Sequence, residues 1–302
     1  MAEAARESGS DAGKPVFTGA GAPPPAIPAN RFRMPRDQWR FFPMLQSDED
    51  HPKSWSFPAY LDNASVPWLA VLKELYASPL AFPASFSPEA GLLLHALVRN
   101  IRPRTIVEVG SFLGVSTIWM AAALEATATD PPHRPASAGA AIIHCFDDFG
   151  PVARALWRDA ELNEPRLELV RGALRRARME HHVVLHPGDS SVEIRKFREE
   201  LRGKVEAWPG DSREHIGGVD FALIDGNHTV EGVLQDFWAI EPVLNTGGYV
   251  LLHDTFPEQC GGHEGPRRLI DQIKSVAQGM YEVCELYTAP LNYGIGLLRR
   301  VG

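Results

Sequence analysis

Thr105–Thr117, TIVEVGSFLGVST, decides how the rest of this chain is read. Thr105–Val109 is a short apolar run ending in an acid-bearing segment, the signature of a strand buried on both faces of a parallel sheet. Val115, Ile118, Trp119 and Ala122 then recur at helical spacing. Gly110 and Gly114 therefore sit in a strand-to-helix turn. Gly110 permits the sharp turn, and Gly114 removes a side chain where backbone has to approach a ligand at the helix N-terminus. That is the layout of a nucleotide-type cofactor pocket. A tight turn that binds nothing is the plainer reading of two glycines four apart, so the remainder of the chain has to decide.

The spacing, Glu108-x-Gly110-x-x-x-Gly114, departs from the GxGxxG dinucleotide fingerprint and resembles motif I of class I S-adenosylmethionine-dependent methyltransferases. That resemblance implies that Glu108 helps hold the methionine ammonium while the glycine turn lies against S-adenosylmethionine. Ser111 and Ser116 are placed to add hydrogen bonds at the turn, although serine at a helix start often serves only as a cap.

Downstream the chain alternates strands and helices. Strands are expected at Ala141–Phe146, Val183–His186, Val219–Ile224 and Tyr249–Leu252, and β runs at Tyr281–Tyr287 and Tyr293–Arg299. Helices are expected from Ser87 through Val98, after Asp189-Ser190 to about Leu201, on the apolar face Val230, Val233, Leu234, Phe237 and Ile240, and near Pro266–Gln278. Alternation closed by a hairpin predicts an α/β, Rossmann-like, doubly wound sheet of seven strands, mostly parallel with one antiparallel edge strand.

Each strand end carries an acid. Asp147 is placed to accept both ribose hydroxyls of the cofactor, or Asp148 after a one-residue shift. Asp189 and Ser190 fall near the adenine edge. The tetrapeptide Pro-Gly-Asp-Ser recurs at Asp211-Ser212, and the first copy is favoured because an apolar run precedes it. Asp225 and Asp254 end successive strands, which lie about 4.8 Å apart as sheet neighbours, so both carboxylates face one crevice. Two clustered acids call for a cation, and oxygen ligands suit Mg²⁺.

The stretch Phe221–Thr255, FALIDGNHTVEGVLQDFWAIEPVLNTGGYVLLHDT, is more specific. It resembles the small-molecule O-methyltransferases that include the macrocin and mycinamicin sugar methyltransferases, with the pattern IDG(D/N)HxxExVxxD, a helix, PxLxxGG, an apolar strand and an acidic pair. The matches are Ile224–His228, Glu231, Val233, Asp236, Pro242, Leu244, Gly247-Gly248 and Asp254. The resemblance covers roughly 87–300. It implies methyl transfer to a hydroxyl of a sugar or phenolic natural product, metal ligation by Asp225, His253 and Asp254, and His228 as the base beside Asp225. Imidazole titrates near working pH, which suits that role, while helix capping is the plainer one. His253 stands where the family often has an acid, which favours softer ions such as Mn²⁺, Fe²⁺ or Zn²⁺ over Mg²⁺. Two other readings stay open: a cephalosporin-hydroxylase-like enzyme on the same fold, or a noncatalytic S-adenosylmethionine-binding partner. A nicotinamide dehydrogenase lacks its fingerprint here.

Composition sets the remaining bounds. The 302 residues are 44% hydrophobic and 23% charged, ordinary for a globular protein, and carry a net charge of −8, which argues against nucleic acid as a partner. Five arginines at Arg166–Arg178 read first as a solvated helix face and second as a patch for an anionic substrate. Three separated cysteines suggest no disulfide framework and a reducing, cytoplasmic setting, and nothing reads as a signal peptide or membrane span. Residues 1–30, rich in Ala, Gly, Pro and Ser, are expected to be a disordered tail. Residues 31–86 form an aromatic and proline-rich cap, equally suited to packing, to a lid over the acceptor, or to a homo-oligomer interface. The domain at 87–302 carries the motifs.

Overall fold

The computed structural model describes residues 54–128, 140–154, 160–206, 218–256, 264–286 and 293–302, with 203–206 described by their backbone alone. The tail at 1–30, the cap from 31 to 53, and Asp211-Ser212 lie outside the described residues.

β1 (Thr105–Val109) is the centre of the sheet because alternate side chains feed two different cores. Ile106 faces one core, shared with Ile143, Cys145, Phe221 and Leu223. Val107 and Val109 face the other, with Phe146, Ala222, Ile224 and Leu252. Period-two alternation thus fills both faces with apolar groups, as a doubly covered parallel strand requires. The first core is covered by α1 (Pro67–Ala77), α2 (Pro88–Ile101), α3 (Val115–Ala128) and α4 (Leu167–Ala177). The second is covered by α5 (Ser190–Glu206), α6 (Val230–Ile240) and α7 (Gly265–Val276).

With β2 (Ile142–Asp147), β3 (Val183–Pro187), β4 (Val219–Ile224), β5 (Leu244–His253), β6 (Tyr281–Leu286) and β7 (Ile295–Arg300), the sheet has seven strands in the order β3-β2-β1-β4-β5-β7-β6. The antiparallel pairing comes at this last edge, where β7 runs opposite to both β5 and β6. The chain winds outward from β1 to β3 and then returns to β4 beside β1, so the topological switch lies between β1 and β4. Ligands of open α/β sheets bind outside the strand C-termini at such a point. Among the described residues no helix is long and apolar enough to cross a membrane.

Ser87 caps α2 as its sequence suggests: its Oγ accepts the Ala90 N–H at 3.1 Å, and Pro88 occupies the first turn. β5 is longer than the run Tyr249–Leu252. Val219 pairs with Leu244 and Phe221 with Tyr249, so Asn245–Gly248 bulges out of the β4–β5 ladder. Asp220 explains the bulge locally, accepting Asn245 Nδ2 at 2.7 Å and the Arg104 and Thr105 N–H groups at 2.7 and 3.1 Å. The described part of the cap is ordered packing. Trp55 donates to the Ala81 carbonyl at 3.2 Å, and Trp119 donates to the Tyr76 hydroxyl at 2.9 Å, tying the cap to α3.

Candidate active site

The strand C-termini open into a crevice of about 550 Å³, within the range of small-molecule pockets. The β1–α3 turn forms one wall. Gly110 (φ +88°) and Gly114 (φ +83°) hold left-handed conformations. A Cβ on Gly110 would lie 2.3 Å from the Asp225 carbonyl oxygen, so the turn closes against β4 only without a side chain. Phe112, Asp254 and Tyr293, all lining the crevice, also have positive φ, and such strain gathers at ligand sites.

Glu108 does not line this crevice. On β1 it points to the α3 face and is fully buried, accepting hydrogen bonds from Ser111 (3.0 Å), Ser116 (2.5 Å), Thr117 (2.5 Å) and Cys145 (3.0 Å). Burial raises its carboxyl above the usual range, and those four donors pull it partly back. The expectation of a direct ammonium contact is therefore corrected for this arrangement: strand alternation turns the carboxyl beneath the turn. Ser111 and Ser116 border the crevice, but their hydroxyls donate to Glu108.

Asp147 is likewise committed. Its oxygens accept the N–H groups of Phe112 (2.8 Å) and Phe149 (2.6 Å), and Arg166 Nη2 and Nη1 lie 2.9 and 3.3 Å away. Four donors fill a carboxylate's capacity, which leaves Asp147 no lone pair for the ribose hydroxyls expected of it. Asp148 stands at the crevice mouth with its side chain 75% exposed, and its Oδ1 takes Gly150 N–H and Arg166 Nη2. Arg166 is the departure from the solvated arginine face. The other four arginines of that run are exposed, whereas Arg166 is buried and also donates to the Gly150 and Phe112 carbonyls at 2.7 and 2.8 Å. The β2-end acid was its only sequence signal, and that acid did not specify a partner 19 residues on.

Further along the crevice, at the residues expected near the adenine, Asp189 caps α5, accepting Ser191 Oγ and Val192 N–H, while Ser190 donates to Asp236 at 2.7 Å. All three line the crevice. Burial raises the Asp236 carboxyl to about 6 despite the Ser190 hydrogen bond.

Opposite them lies the acid–imidazole cluster. Asp225 follows β4, and Asp254 follows β5. His228 Nε2 is 3.2 Å from Asp225 Oδ1 and 3.0 Å from Asp254 Oδ2, and His253 Nδ1 is 3.3 and 3.1 Å from Asp225 Oδ1 and Asp254 Oδ1. Helix capping is not the work of His228, because Thr229 Oγ1 caps α6 on the Gly232 N–H. Burial lowers both histidines' pKa values, but the charges of Asp254 and Asp225 more than offset it and hold both above the usual range. His253 is buried and stacks on Phe86, ring centroids 4.2 Å apart; neither of its ring nitrogens meets hydrogen-bond geometry with a described residue. Asp225, His253 and Asp254 each offer one ligand atom within 4.8 Å of the others. A buried imidazole nitrogen aimed at two carboxylates without hydrogen-bond angles is the donor set a divalent ion would fit.

Pro83, Ala84, Ser85 and Phe86, from the cap expected to pack or to cover the acceptor, also line the crevice, although no motif singled them out one by one.

Two of the solved structures that share this fold illustrate the likeness. The O-methyltransferase TomG from Streptomyces achromogenes is 19% identical, with 82% of this chain and 92% of TomG covered at a TM-score of 0.50. An O-methyltransferase from Bacillus cereus is 17% identical, with 80% of this chain and 94% of that one covered at 0.53. Residues 107–255 match the family model described as a methyltransferase domain.

Proposed function

We propose that the protein transfers the methyl group of S-adenosylmethionine to a hydroxyl of a small molecule, a sugar or phenolic natural product of the kind handled by macrocin- and mycinamicin-type enzymes, with a divalent metal assisting. The observation that carries this reading is the cluster Asp225, His228, His253 and Asp254 in the same crevice as the Gly110–Gly114 turn. TomG was solved in complex with SAM and the Bacillus cereus enzyme with SAH, which supports the same cofactor here.

In this reading the carbon–oxygen bond to the acceptor forms as the carbon–sulfur bond of the sulfonium breaks, and the acceptor's proton leaves to a base. A metal held by Asp225, His253 and Asp254 would acidify the acceptor hydroxyl. His228, partly exposed at the crevice wall, is placed to take that proton. It must be neutral to do so, a form that the Asp225 and Asp254 charges disfavour until they are offset. Asp148 and the Gly110 turn hold the nucleoside end, and Phe86 fixes the His253 ring from the cap side.

The test is to incubate the protein with methyl-labelled S-adenosylmethionine, sugar and catechol-type acceptors, and Mg²⁺ or Mn²⁺. Label transferred to oxygen, and lost with chelator, supports the reading. A folded protein that binds the cofactor but labels no hydroxyl under any metal condition turns it to the noncatalytic alternative.

A further inference from the structure

A second ligand set lies at the other end of the sheet. Glu125, near the end of α3, meets His181 and His182 in the 3-10 turn Glu180–His182 that leads into β3. His181 Nε2 and His182 Nε2 are each 3.0 Å from Glu125 Oε2. His182 is buried, and its Nδ1 lies 3.0 Å from the Ala141 carbonyl oxygen, just before β2. A carbonyl only accepts, so Nδ1 must carry a proton. In neutral His182 the Nε2 is then a bare lone pair facing a carboxylate lone pair at 3.0 Å, which is repulsive. A proton or a metal ion must lie between them.

The geometry points to a transition-metal site made by Glu125, His181 and His182, of the Zn²⁺ class, separate from the crevice. Three observations carry it. The three ligand atoms lie within 4.8 Å of one another. Their 3.0 Å contacts are close to the roughly 3.3 Å between ligand atoms of a tetrahedral site with bonds of about 2.0 Å. The buried member has its outer nitrogen fixed by a backbone carbonyl, the arrangement that orients metal-ligating histidines. Glu125 and His181 are about half exposed, leaving an open position for water. Two imidazoles and one carboxylate select Zn²⁺, Co²⁺ or Ni²⁺ over Mg²⁺. The ion would clamp the end of α3 to the start of β3, at the opposite end of the strands from Asp147.

Co²⁺, followed by its visible absorption, and Zn²⁺, followed calorimetrically, are titrated into the full chain and into Glu125→Gln, His181→Ala and Asp225→Asn. His181 is exposed, so His181→Ala tests ligation without disturbing the buried His182 contact. The expected result is two metal equivalents in the full chain, of which one, not displaced by excess Mg²⁺, is weakened at least ~10-fold by Glu125→Gln and by His181→Ala and retained in Asp225→Asn. Binding unchanged in both Glu125→Gln and His181→Ala, or lost only with Asp225→Asn, overturns the proposal.

Discussion

Arg166 grips Asp147 through two nitrogens, Nη2 to Oδ1 at 2.9 Å and Nη1 to Oδ2 at 3.3 Å, with both side chains more than nine-tenths buried. The same guanidinium bonds the Phe112 and Gly150 carbonyls, so one side chain joins the β1–α3 turn to the end of β2. Arg166→Ala strands a buried carboxylate and is expected to cost about 3 to 5 kcal/mol in urea unfolding. Arg166→Lys keeps the charge but not the fork, and should fall between wild type and Ala. A loss within experimental error for Arg166→Ala would mean that Phe112 and Phe149 N–H groups satisfy Asp147 alone.

Asp148, exposed at the mouth, should matter for binding and not for folding. Asp148→Ala is expected to weaken S-adenosylhomocysteine binding about 10- to 100-fold, the worth of a charged hydrogen bond, with an unchanged melting temperature. Calorimetric titration and a thermal melt of the same preparation decide it; unaltered affinity would place the ribose elsewhere.

Two glycines with nearly the same φ separate crowding from backbone strain. Gly110→Ala meets the Asp225 carbonyl at 2.3 Å, whereas a Cβ on Gly247 (φ +83°) meets nothing within 4 Å. Gly247→Ala should cost only the left-handed penalty of about 1 to 2 kcal/mol. Gly110→Ala adds overpacking of about 1 to 3 kcal/mol and displaces Asp225, so it should also impair the crevice. Equal costs for the two would refute the close-approach account of Gly110.

Asp236 makes stability depend on pH. Its folded value, about 6, lies above its ordinary 3.8, so the folded state holds the proton more tightly. Its contribution is therefore fully present below pH 3.8 and is lost as pH rises through 6. Asp236→Asn should remove that loss, gaining on wild type by up to about 3 kcal/mol between pH 4 and pH 7.5. Denaturant curves at both pH values measure the difference, and parallel behaviour of the two proteins would show that Asp236 ionises without penalty.

His228→Ala should reduce turnover about 10²- to 10⁴-fold while leaving cofactor affinity intact, as expected of a lost proton acceptor. A drop in affinity with turnover preserved would instead make His228 a binding residue.

The sheet was legible in the chain because β1 and β4 are short, mostly apolar runs, each followed by a helix: α3, apolar nearly all round, and α6, with a clear apolar stripe. The paired acids were legible too, since strand ends converge at the switch between β1 and β4. What stayed hidden depended on which way a side chain turns. Period two says that Glu108 and Val109 face opposite sides, but not which side holds the ligand. The burial of Arg166 among exposed arginines follows from a tertiary contact with Asp147, which no local pattern encodes. The bulge at Asn245–Gly248 stayed hidden because its paired glycines give the same local signal as a turn before a strand.

The most direct test of the central claim is calorimetric titration of the full chain with S-adenosylmethionine and S-adenosylhomocysteine, each with and without Mg²⁺ or Mn²⁺. The account predicts one micromolar site per chain for both ligands, weakened by Asp148→Ala. A folded protein that binds neither, under any of these conditions, would contradict it.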